Sequence, residues 1–110
     1  MDWKKKFSDE IQMAAEARQH GNEGKARVCA RRAAGEVVRE YFNRRGISVR
    51  TSSVYDLLKT LLENPDLPPA PRREAEYLTL RMTEDFNLPV EVDLIQSAVL
   101  LAQSLLPDAD

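Results

Sequence analysis

Apolar and polar positions recur at helical spacing along nearly the whole chain. Trp3, Phe7, Ile11 and Ala14 follow one another at steps of four, four and three, which predicts an amphipathic first helix ending near His20. GNEG then puts two glycines and an asparagine where a tight reversal belongs. A second helix is expected from Lys25 to Arg45, closed by Gly46. Its inner stripe reads Ala26, Cys29/Ala30, Ala33/Ala34, Val37, Tyr41, small enough in the middle for another helix backbone to come close. A third helix begins at a run of hydroxyls. Ser53 with Asp56 has the spacing of a capping box with a shortened acid, and Val54, Leu57, Leu58, Leu61 and Leu62 make its buried face.

PDLPPAP, from Pro65 to Pro71, breaks the pattern, and Pro71 suits the first turn of a fourth helix with Ala75, Leu78, Met82 and Phe86 on one side. NLP is a second break. The last helix is apolar around most of its circumference from Leu94 to Leu106, so it needs cover on two sides. It is expected either at the centre of the bundle or in a subunit interface. β-branched residues never alternate with polar ones for more than a few positions, so no strand is expected. The expected fold is all-α: a five-helix, mostly antiparallel bundle forming one domain over residues 1–110.

Composition narrows the chemistry. A chain of 110 residues with 43% apolar and 31% charged residues suffices for a self-standing core. It lacks an apolar run of the ~20 residues that span a bilayer, and no apolar stretch follows the basic start, so a cytoplasmic, non-membrane protein is expected. Cys29 is the only cysteine, and its place on the small-residue stripe reads as a buried, inert thiol. His20 is the only histidine and falls where a cation meets a helix C-terminus. Neither a metal site nor a cofactor is expected from such a set. GNEGK lacks the length and the preceding strand of a phosphate loop. Glu84/Asp85 and Glu91/Asp93 can approach across NLP, although acidic residues at helix starts usually serve the dipole.

The net charge of −2 conceals a segregation. Lys25 to Arg50 holds eight basic and two acidic residues, whereas Thr51 onward holds four basic and eleven acidic. Either the two parts neutralise each other as solvated pairs, or the first presents a basic face. Two groups follow from the second possibility. Arg27 and Arg31, one turn apart, with Arg32, Arg39, Arg44 and Arg45, can grip successive phosphates. Arg50, Ser52, Ser53 and Tyr55, with Thr51, place a guanidinium and hydroxyls beside the exposed N–H groups of a helix start. The plain alternative for the serines is capping.

The segment ARVCARRAAGEVVREYFNRRGISVRTSSVYDLLKTLLE resembles the core of the HEPN family of small helical-bundle proteins. VCARRAAGEVVREYFNRRG looks like the family's second helix and closing glycine. Ser53-Val54-Tyr55-Asp56-Leu57-Leu58 stands where a Thr-His-Asp-Leu-like helix start would lie. The resemblance runs in layout from Phe7 to Leu106 and in residue detail from Ala26 to Leu62. It implies an up-and-down four-helix core and a homodimer. Many members are metal-independent ribonucleases or toxins, while others are non-catalytic partners of small nucleotidyltransferases. The nuclease version sets an Arg shortly before a His. Here Arg50 takes the Arg position, but Tyr55, Asp56 and Leu57 stand where the His would.

That absence matters chemically. Attack by the RNA 2′-hydroxyl requires a group that exchanges a proton near neutral pH. Imidazole titrates at ~6.5, and a phenol at ~10 does not serve unless strongly perturbed. The expectation is a degenerate, non-catalytic HEPN-like protein that binds RNA, a nucleotide or a nucleotidyltransferase-type partner in a toxin–antitoxin-like setting. Arg50, Ser52, Ser53 and Tyr55 would form the site, and Arg27, Arg31 and Arg32 its rim. The alternatives are an active metal-independent ribonuclease that uses Arg50 with Tyr55 or His20, and a structural interaction module that mates through its last helix.

Overall fold

The structure is a computed structural model that describes residues 3–80 and 92–107. Five helices account for most of them: α1 (Trp3–Gln19), α2 (Glu23–Arg44), α3 (Val54–Leu62), α4 (Pro69–Leu78) and α5 (Leu94–Leu105). They pack into an all-α bundle, and no strand occurs among the described residues. None of these helices is long and apolar enough to cross a membrane. Met82 and Phe86 of the expected α4 stripe, and Glu84, Asp85 and Glu91, lie outside the described residues.

Each boundary has a local cause. α2 starts two residues earlier than its apolar stripe predicts, because the Asn22 side chain accepts a hydrogen bond from the Lys25 N–H and caps the helix there. At the far end Gly46 adopts φ 68°, which lets Ile47 N–H reach Phe42 C=O and Gly46 N–H reach Asn43 C=O. This closure turns the chain out of α2 toward the loop that leads to α3. Gly21 closes α1 with the same hydrogen-bond pattern.

The α3 start is the expected box with one change. Asp56 N–H donates to Ser53 Oγ at 3.2 Å. The Asp56 carboxylate does not return to Ser53 N–H; Thr51 Oγ1 bridges instead, accepting from Ser53 N–H (3.0 Å) and donating to Asp56 Oδ2 (3.2 Å). A glutamate would span that gap; aspartate is one methylene short, and the threonine fills it.

α2 is the central helix, with α1, α3 and α5 all packed on it, while α4 packs on α3 and α5. The small stripe is what permits this. Ala30, Ala33, Ala34, Val37 and Val38 are fully buried, and Gly35 meets α3 so closely that an added Cβ would lie 2.8 Å from Val54 Cγ2. Leu57, Leu58 and Leu61 close the core from α3, each burial stabilising by ~2 kcal/mol.

α5 is therefore not at the centre. It lies between α2 and α4, burying Leu94, Ser97, Ala98 and Leu101 and leaving Ile95, Val99 and Leu100 half-covered. Asp93, at its start, bonds Arg18 near the α1–α2 turn, while Leu106, past its end, lines a groove with Trp3. α5 accordingly runs alongside α2 in the same direction and antiparallel to α1.

Candidate nucleic-acid interface

The α1–α2 hairpin pairs residues that are roughly equidistant from Gly21. Arg18 meets Glu23, Arg32 approaches Glu10 at 3.9 Å, and Trp3 with Lys6 faces Glu36, Arg39 and Asn43. The basic start of α1 thus joins the basic end of α2. Lys6 and Arg39 line one groove at this end of the bundle, although more than thirty positions separate them in sequence; Arg44 and Arg45 end α2 there, and Arg50 follows the groove residue Val49. Arg39 pairs with Glu36 at 3.1 Å, and Arg44 with Glu40 at 2.9 Å. Arg45 is exposed and lies over the Tyr41 ring, 4.4 Å from its centroid. Arg50 is exposed and makes no ion pair with a described residue.

Of the expected site residues, Arg50, Ser52 and Tyr55 are exposed and neighbouring along the chain. Lys59 reaches over the Tyr55 ring with its Nζ 5.4 Å from the centroid, adding a cation beside the phenol. The Ser53 hydroxyl is engaged in the cap, and the Asp56 carboxylate stands in the same first turn. A carboxylate there already complements the helix dipole and repels a second anion, so capping wins over an oxyanion pocket at this helix start.

The expected rim on α2 divides. Arg31 turns inward across the bundle, donating from Nε to Leu78 C=O (3.1 Å) and from Nη2 to Leu80 C=O (2.8 Å). Burial, then the charge of Arg27, push its pKa down. Its donors satisfy carbonyls left open at the end of α4, a structural role. Arg27 is mostly covered, 3.9 Å from Glu23, and only Arg32 of the three keeps an open guanidinium.

His20 is far from all of this. Its Nδ1 lies 2.7 Å from Glu16 C=O at the end of α1, whereas Arg50 follows the opposite end of the 22-residue α2. Tyr55 follows Val54, which packs on Gly35, and at 1.5 Å per residue the twelve residues from Glu23 to Gly35 put roughly 18 Å between that point and the start of α2. Within one chain the histidine does not reach Arg50 or Tyr55. Among the described residues no group of three His, Cys, Asp or Glu side chains is placed to hold a metal, and Cys29 is buried on the α2 stripe.

Two grooves flank the start of α1. The first, about 470 Å³, runs between α1, the end of α2 and the following loop; Trp3, Lys6, Arg39, Asn43 and Ser48 form its walls, and Phe42 and Leu57 its floor. The second, about 460 Å³, lies between α1 and α5 and is lined by Trp3, Phe7, Val99, Ala102 and Leu106. Neither Arg50 nor Tyr55 lines either groove. Reading each helix alone misses both grooves. Reflection of the sequence about Gly21 would have found the first, since it sets Trp3 against Arg39.

These features define an all-α bundle with a basic end and, among the described residues of one chain, no histidine near it to move a proton. No family model, curated protein or solved structure matches the chain.

Proposed function

We propose that this protein is a non-catalytic, HEPN-like helical module that binds single-stranded RNA or a nucleotide through the basic end where α1, α2 and the α2–α3 loop meet. The observation that carries this reading is that Lys6 and Arg39 line one groove, with Arg45 at the end of α2 and Arg50 next to the groove residue Val49, while the only histidine sits at the α1–α2 turn. Exposed guanidinium groups bind phosphates and release counterions, and that binding requires no proton transfer. Arg50 and Arg45 contact phosphate in this reading. Tyr55 offers a ring to stack on, and Ser52 a hydroxyl.

The test is anisotropy of a labelled single-stranded RNA from 50 to 200 mM salt, followed by metal-free incubation and electrophoresis. Affinity should fall steeply with salt and the RNA should remain intact. Arg45→Ala with Arg50→Ala should weaken binding about tenfold, as loss of two phosphate contacts does. RNA that is cut, with cutting abolished by Arg50→Ala, would replace this reading with the ribonuclease one.

A second reading is favoured by the groove between α1 and α5. A partner protein of the nucleotidyltransferase type, or a second copy, would seat on the half-covered Val99 and Ala102. Val99→Glu should then abolish partner association and leave RNA affinity unchanged.

A further inference from the structure

The groove beside Trp3 is unlike a plain phosphate site. Its walls combine one indole, the aliphatic Ile47 and Val49, two cations, an amide, a hydroxyl and two carboxylates, Glu36 and Glu40. The two carboxylates would oppose an anion lying in the groove. An apolar side chain from a protein would leave Asn43 and Ser48 facing it without hydrogen bonds. A nucleobase resolves both conflicts, because it has a flat apolar face for the ring and donors and acceptors along its edge. The volume of about 470 Å³ falls within the ~300–1,000 Å³ range of small-ligand pockets.

We propose that this groove takes one unstacked base of the bound RNA, its face against Trp3 and its edge read by Asn43, Ser48 and the carboxylates, with a preference for a base bearing an exocyclic amino group. This rests on the RNA-binding reading and specifies where a base goes. Phe7 packs against Trp3 in an edge-to-face arrangement, ring centroids 6.1 Å apart and planes at 65°, which braces the indole where it lines the groove. Phe42 is 5% exposed and Leu57 1%, giving the groove a firm floor. Asn43 is exposed one turn beyond Arg39 on α2, and Ser48 is exposed in the loop. Glu36 and Glu40 each pair with one arginine through one oxygen (Oε1 of Glu36, Oε2 of Glu40), which leaves the other to accept from a base amino group. Lys6 makes no ion pair with a described residue, so its ammonium is available to the phosphate of the same nucleotide.

Trp3 is the only tryptophan, so its fluorescence reports the surroundings of this one ring. The full chain is titrated with (rC)8, (rA)8 and (rU)8, and with inorganic polyphosphate, while Trp3 emission and the anisotropy of a labelled oligonucleotide are read in parallel. Cytidine and adenosine oligonucleotides should quench Trp3 and bind about fivefold more tightly than (rU)8, the scale of one base contact. Asn43→Ala should remove most of that preference. Its exposed position on α2 keeps the fold intact, checked by an unchanged urea midpoint. RNA that binds without altering Trp3 emission, or equal quenching by polyphosphate, overturns the base site and leaves the RNA-binding reading standing. Absence of salt-dependent RNA binding sinks the parent reading, and the base site with it.

Discussion

Arginines on α2 that look alike in sequence have opposite fates. Arg31 is half-buried against the end of α4, its guanidinium fork bridging two carbonyls from another part of the chain. Arg31→Ala should therefore cost about 2 kcal/mol in urea denaturation, because two acceptors lose a charged donor. Arg31→Lys should recover less than half, since one ammonium does not reproduce a planar fork. RNA affinity should change less than twofold in either variant. Arg50 predicts the reverse: with no ion pair to a described residue, Arg50→Ala should leave stability within ~0.5 kcal/mol and lower the salt slope of RNA binding by about one. Arg72 resembles Arg31, donating to Leu62, Asn64 and Leu67 carbonyls and so holding the α3–α4 turn.

At the scale of elements, two joints fix the helices. One is Gly35 against Val54. An alanine there gains up to ~1 kcal/mol of helix propensity but drives a methyl to 2.8 Å from a β-branched side chain that has little freedom to move. Overpacking should win, with Gly35→Ala destabilised by about 1–2 kcal/mol in urea and α3 losing amide protection first. The other joint is Arg18, which bonds Glu23 through both carboxylate oxygens (2.8 and 2.9 Å) and Asp93 at 2.9 Å, tying the end of α1 to the starts of α2 and α5. The Arg18 bond lowers the Glu23 pKa against the effect of burial. For Asp93 burial acts upward, but bonds from Arg18, Gln96 N–H and Ile95 N–H outweigh it, so its pKa also falls. Both carboxylates are thus depressed below their unfolded values near ~4, so their contribution is complete above pH ~5 and lost as pH falls through the folded values. Solvent exposure holds it to about 1 kcal/mol. Urea midpoints should fall as pH drops from about 6 to about 3, and the fall should shrink in Arg18→Ala.

Helix identity is legible in the sequence because apolar spacing, glycine closures and the Ser53 cap are local signals. Asn22 ahead of a charged turn is a local signal of the same kind, and it marks the α2 start better than the apolar stripe does. The central place of α2 rather than α5 is not legible: a nearly all-apolar α5 suggests depth, but a narrow seam of alanines and Gly35 admits three neighbours, and closeness outranks hydrophobicity. Among candidate residues, Arg50, Ser52 and Tyr55 are exposed, while Arg31 turns inward because its acceptors begin forty-seven positions away, a distance no local signal spans.

Over the whole molecule, charge and grooves are arranged about one end. The basic patch exists because α1 returns its N-terminus to the exit of α2, so it depends on the hairpin rather than on any single arginine. Reversing Lys6 and Arg45 together to glutamate should reduce RNA affinity by less than the product of the single changes' effects if both hold one stretch of the bound strand, because losing one contact already loosens the other, and by that product if they act apart, as read by anisotropy. The association state should be read separately by light scattering, with Val99→Glu as the control on the α1–α5 side.

Trp3 is a wall of both grooves. An indole offers two faces and a rim, so anything that shifts this ring to suit one groove reshapes the wall of the other. In the proposed reading, a base held beside α2 and a protein seated along α5 would then sense each other through one side chain while touching separate surfaces.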